Sequence, residues 1–235
     1  MVDLLAIAAH PDDVEQTCGG ALLRAAEAGY RTAIVDLTSG EMGTRGTPEI
    51  RLQEAAAAAK VLRVSHRANM QFPDTRVMNT PDAREKLAME IRRLKPTTVI
   101  LPWTEARHPD HYHAAQLGFD ASFLAGLRKL DPSTDPGRPR TIVYASAYSK
   151  VEPSFVLDIT RQFDRRMEAL FCYSSQYGAQ QAGSDLFPHA EEIRERFAGI
   201  ARYYGNLIGV RYGEPYVMKE TMRIDDLVTM PVRSF

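Results

Sequence analysis

The sequence predicts an α/β fold in which helices flank a mainly parallel β-sheet. Three observations predict it. Short apolar runs at residues 4–9, 32–37 and 98–102 read as strands covered on both faces. Helical segments of about 10–15 residues separate them, the alternation expected of βαβ units. Two of those segments open with the same start signal, Thr47-Pro48-Glu49 and Thr80-Pro81-Asp82: a capping threonine, proline at the first helical position, and an acid in the first turn. A chain of 235 residues fits one such domain, residues 1–235, in a Rossmann-like arrangement.

Taken in order, the first strand ends at an HPDD turn, and residues 15–28 read as one helix stopped by Gly29. After the second strand comes a glycine-punctuated loop, SGEMGTRG, and then a helix from the Thr47 signal to about Leu62. Residues 68–72 form a short strand, and the Thr80 helix ends before Pro96. The strand at 98–102 feeds a loop and an RHPDHYH segment, from which a helix runs to about Leu127. DPSTDPGRPR, at 131–140, is a surface loop. Beyond it, 141–148 and 154–159 read as strands, and 160–173 and 188–205 as helices.

Composition narrows the function. Lys+Arg of 29 against Asp+Glu of 30 leaves no basic field, which argues against nucleic acid as the main partner. The two cysteines, Cys18 and Cys172, form no CxxC, and the N-terminus lacks a basic signal-peptide region. No stretch approaches a membrane span. The expectation is a cytoplasmic protein acting on a small molecule.

Two polar clusters directly follow strands: His10-Pro11-Asp12-Asp13 and His108-Pro109-Asp110-His111. Sites in open α/β sheets lie at the carboxyl ends of strands, where topology can bring two such turns together. Between them they offer histidines and a carboxylate for a metal, with acids left over for proton transfer. Catalytic zinc commonly keeps three protein ligands and an open position. The same donor types also accept Fe(II).

AHPDD, DLTSGEMGTRGT and RHPDH resemble the LmbE/PIG-L family of de-N-acetylases. FPDTR, YSSQY and IGVRYGEPY resemble its bacillithiol-pathway branch, the N-acetylglucosaminyl-malate deacetylases. The resemblance implies a zinc amidohydrolase with His10, Asp13 and His111 as ligands and Asp12 as the general base. It implies that His108 stabilises the oxyanion or protonates the leaving amine, with Asp110 orienting it. It also implies a homo-oligomer, a hexamer among the possibilities.

Arg51 and Arg107 flank the motifs, and a malate aglycone carries carboxylates that a guanidinium can grip in a bidentate fork. Asp74 matches a family position that contacts sugar hydroxyls. Where the mycothiol branch has a tyrosine two residues before the first histidine of the second motif, this chain has Ala106. Glu41 faces either the sugar or solvent. Cys18 reads as a small buried thiol, and His66 and His189 as surface residues. Within the same chemistry the alternative is a thiol-conjugate amidase or a de-N-acetylase of another GlcNAc derivative. From another class comes a nucleotide-binding module, but no G-x-G-x-x-G follows the first strand.

Overall fold

A computed structural model describes residues 1–146, 149–178, 190–230 and 232. Seven strands form one sheet: β1 (Leu4–Ala8), β2 (Thr32–Asp36), β3 (His66–Asn69), β4 (Thr98–Pro102), β5 (Thr141–Ala145), β6 (Phe155–Asp158) and β7 (Gly213–Val217), in spatial order β3-β2-β1-β4-β5-β7-β6. The first five run parallel, and β7 is antiparallel to both its neighbours. The mainly parallel α/β expectation holds. β1 lies between β2 and β4, in register Leu4↔Thr32 and Leu4↔Thr98. That is the point where strand order reverses, so the turns after β1 and β4 open beside the same crevice.

The helices are α1 (Asp13–Thr17), α2 (Gly19–Glu27), α3 (Pro48–Val61), α4 (Pro81–Leu94), α5 (Pro109–Leu124), α6 (Phe163–Phe171), α7 (Ser174–Tyr177) and α8 (Ala190–Asn206). One sheet face packs Leu5, Ile7 and Val99 against Leu87 and Ile91 of α4 and Leu117 of α5. The other packs Ala6, Ile34 and Ile100 against Leu22 of α2, Ala58 of α3 and Ala169 of α6. Each fully buried leucine or isoleucine contributes on the order of 1.5–3 kcal/mol. α5 approaches β4 closely because residue 118 is glycine: a Cβ there would stand 2.4 Å from Leu101 Cδ2. That contact seats the N-terminus of α5, and with it the second HPD motif, over the end of β4. Among the described residues no helix is long and apolar enough to cross a membrane.

The structure differs from the sequence reading in four places. The helix expected over 15–28 is two, broken at Cys18, where φ is −138°. The new N-terminus is capped from far away: Gly20 and Ala21 amides each donate to the Glu214 carboxylate at 2.8 Å. β7 was not expected from the sequence; its Pro215 lies beyond the two-pair ladder with β5, where its missing N–H removes no rung. β3 begins two residues earlier than expected and is shorter. The helix at 109 ends at Leu124 rather than near Leu127. Residues 147–148 of the fifth expected strand, the expected start of the last helix at 188 and the histidine at 189 lie outside the described residues.

Candidate metal centre

His10, Asp12 and Asp13 leave the end of β1, and His108 and His111 follow β4, so the parallel pairing delivers both motifs to one place. The ring centroids of His10 and His108 are 4.8 Å apart, and those of His108 and His111 are 5.3 Å apart. Asp13 stands between two of these rings: its Oδ2 lies 3.4 Å from His10 Nδ1 and 3.2 Å from His111 Nε2. The same oxygen accepts the His10 amide at 2.9 Å, which closes the turn.

These distances test the fit of a metal. Donors roughly 2.0–2.2 Å from a tetrahedral ion stand about 3.3–3.6 Å from one another. The Asp13 separations match that spacing. Among the described residues two triads have ligand atoms within 4.8 Å: His10/Asp13/His111 and His10/His108/Asp110. The second is otherwise engaged. His108 Nδ1 accepts the Asp110 amide at 3.2 Å, capping α5, and the Asp110 carboxylate accepts the Thr75 amide at 2.8 Å and the Val77 amide at 3.3 Å. His10, Asp13 and His111 are therefore the donor set that fits. Burial pulls the His10 imidazole down, but hydrogen bonds to Asp110, Asp13 and Asp74 override it and hold the ring protonated, up to about 12. A site that gathers three carboxylates around one ring is built to hold positive charge.

Three residues take partners other than those expected from the sequence. Asp74 was expected on the sugar; it is 6% exposed and its Oδ1 lies 3.0 Å from His10 Nε2, while Oδ2 accepts the Met42 amide at 2.9 Å. It supports the outer nitrogen of the first histidine, the arrangement that orients metal-ligating imidazoles. Glu41, left open between sugar and solvent, is exposed and also accepts the Asp74 amide at 2.7 Å. Asp110 was expected to orient His108 by its carboxylate; the carboxylate instead holds residues 75–77, and the Asp110 backbone amide does the orienting. Arg51 was expected to grip substrate. It is 5% exposed, donates to the Pro11 carbonyl and stands 3.5 Å from Asp12 Oδ1, so it braces the HPDD turn from behind.

Asp12 needs that brace. Its φ of 96° is in the left-handed region, a conformation that costs a non-glycine residue about 1–3 kcal/mol. Burial pushes its carboxyl up to about 7, against the pull of Arg51, a value suited to accepting a proton near neutral pH. His108 moves the other way: burial, with His10 and His111 beside it, lowers its imidazole. A neutral ring whose Nδ1 accepts a hydrogen bond carries its proton on Nε2, so His108 presents an N–H donor.

The centre opens into a cavity of about 1040 Å³ whose lining includes Asp13, His108, His111, Trp103, Arg107 and Phe197. Arg107, expected to contact substrate, is exposed on this wall. α8 also lines the cavity, through Phe197 and its neighbours. Sequence reasoning gave Tyr177 no role of its own, yet its hydroxyl donates to Asp12 Oδ2 at 2.9 Å. Its motif, YSSQY, was visible, but not the partner 165 positions away.

Residues 5–122 match the family described as PIG-L, GlcNAc-PI de-N-acetylase. A diacetylchitobiose deacetylase from Thermococcus kodakarensis is 30% identical over 224 residues, covering 90% of this chain and 80% of that protein. A 4-oxalmesaconate hydratase from Pseudomonas putida is 28% identical over 73% of each chain. Among solved structures, the conserved protein TT1542 from Thermus thermophilus superposes with a TM-score of 0.86 at 38% identity, covering 96% of this chain and 98% of that one.

Proposed function

The chain belongs to the PIG-L/LmbE family of de-N-acetylases, hydrolases of N-acetyl amides, and we propose that it deacetylates an N-acetylglucosamine conjugate at a zinc site of His10, Asp13 and His111. One observation carries the reading: Asp13 Oδ2 lies within 3.4 Å of both imidazoles, with Asp12 next in the same turn. Bound there, zinc would supply Lewis acidity, polarising the amide carbonyl and favouring ionisation of water. Fe(II) suits the same donors.

The protein's own groups account for the proton transfers. Asp12 takes a proton from the attacking water as its oxygen bonds the carbonyl carbon. The His108 Nε2–H donates to the carbonyl oxygen as negative charge builds there. Asp12 then gives its proton to the amide nitrogen, the C–N bond breaks, and acetate and the free amine leave. Of the two roles open to His108, oxyanion stabilisation is the one that its capped Nδ1 and lowered imidazole favour.

For the aglycone we propose malate, as in bacillithiol biosynthesis. Its support is the FPDTR, YSSQY and IGVRYGEPY resemblance, together with Arg107 on the cavity wall; Arg51, turned inward, no longer supports it. The family description and the Thermococcus relative name other N-acetylated sugar compounds, and one relative is named a hydratase. Acetate release decides among these. GlcNAc-malate is expected to be turned over faster than N,N'-diacetylchitobiose, free GlcNAc or a thiol conjugate. A faster rate on another sugar removes malate and keeps the deacetylase; no acetate from any of them removes the deacetylase.

A further inference from the structure

α7 has four residues, yet it is tied firmly to α3. Glu54 of α3 is 7% exposed and gives both carboxylate oxygens to this turn. Its Oε1 accepts the Ser175 amide at 2.6 Å and Ser174 Oγ at 3.1 Å, and its Oε2 accepts Ser175 Oγ at 2.7 Å. Gln176 Nε2 adds a bond to the Arg45 carbonyl at 2.8 Å. A carboxylate this buried is costly unless hydrogen-bonded, and here the bonds all serve one short turn.

What the turn carries is Tyr177, whose hydroxyl meets Asp12 Oδ2 at 2.9 Å. The other Asp12 oxygen faces Arg51 Nη2 at 3.5 Å. Arg51 and Glu54 are three residues apart on α3, so they share one helix face. One helix thus holds Asp12 from two directions, directly through Arg51 and indirectly through Glu54, α7 and Tyr177. The residue they hold has its backbone in the left-handed region, a strained conformation.

We propose that Tyr177 is a positioning residue for the Asp12 carboxylate and that Glu54 holds Tyr177 on it. The phenol O–H fixes the rotation of the carboxylate, so that Asp12 meets the attacking water in one orientation. This rests on the reading of Asp12 as the base, and the experiment separates the two.

Acetate release is measured on the best substrate from the comparison above, with kcat, KM and bound zinc determined for Tyr177→Phe, Glu54→Ala, Glu54→Gln and the Tyr177→Phe/Glu54→Ala double variant. Losing a hydrogen bond to a charged group predicts a fall in kcat of about tenfold in Tyr177→Phe. KM and zinc content should stay near their original values, because substrate binding and the ligands are untouched. Glu54→Ala should show the same loss, Glu54→Gln should recover much of it, and the double variant should be no worse than the poorer single one. One readout needs no turnover: the Ser175 amide should exchange faster in zinc-free Glu54→Ala. A normal kcat in Tyr177→Phe overturns the proposal, as do losses that multiply in the double variant. Should Glu54→Ala not fold, Tyr177→Phe, which removes one hydroxyl, decides alone. Asp12→Asn distinguishes the failures. If it is inactive while Tyr177→Phe is normal, only the positioning role falls; if Asp12→Asn itself is normal, the base assignment falls with it.

Discussion

His10 Nε2 lies 3.0 Å from Asp74 Oδ1, so an aspartate 64 positions downstream supports the first histidine of the metal centre. With the outer nitrogen taken, Nδ1 is left to face Asp13, at 3.4 Å, and the metal position. In the proposed zinc site this hydrogen bond would leave Nδ1 as the ligating nitrogen.

Asp74→Asn should weaken zinc binding by about 10–100-fold while leaving the fold intact, because the amide removes the charge that supports the imidazole. Competition against a chelator of known affinity measures this. An unchanged zinc affinity would return Asp74 to the sugar-binding role.

Zinc binding should release protons. In the metal-free protein His10 is held protonated, up to about 12, and a ligating imidazole must be neutral. Zinc affinity should then rise about tenfold per pH unit around neutrality for each proton displaced. The sign for stability is opposite in direction: a raised imidazole adds metal-free stability that is complete below its ordinary value of 6.5 and fades only as pH climbs toward about 12. Calorimetry of zinc binding in two buffers of different ionisation enthalpy counts the protons, and a count of zero refutes this.

Gly40→Ala should destabilise the protein and slow it. Gly40 has φ +67°, and a Cβ there would meet Arg51 Nη1 at 2.5 Å. The left-handed conformation alone costs about 1–2 kcal/mol for a residue with a Cβ. Because Arg51 braces Pro11 and Asp12, displacing it should move the proposed base as well. Thermal unfolding and kcat should fall together, and a loss of stability at full turnover would uncouple Arg51 from Asp12.

Arg107→Ala should raise KM for GlcNAc-malate by about tenfold, the loss expected for a charge-assisted contact. On N,N'-diacetylchitobiose, which has no carboxylate, KM should hardly move. Equal effects on both substrates would make Arg107 a general part of the cavity wall.

Local pattern alone determined the alternation of apolar runs and helices, the threonine-proline helix starts, and the two HPD turns at strand ends. Those features follow from spacing along the chain, which is why β1, β2, β4, α3, α4 and the polar motifs were legible while β7 was not. The proposed ligand set His10, Asp13 and His111 needed a family resemblance, since spacing offers several donors. Packing alone decided the partners of those residues. Asp74 reaches His10 across 64 positions, Tyr177 reaches Asp12 across 165, and Glu214 caps α2 across 194. Arg51 and Glu54 read as two polar positions on one helix until α7 and the HPDD turn are seen against it. Such pairings depend on which face of each element turns inward, and that is set by burial of the whole core.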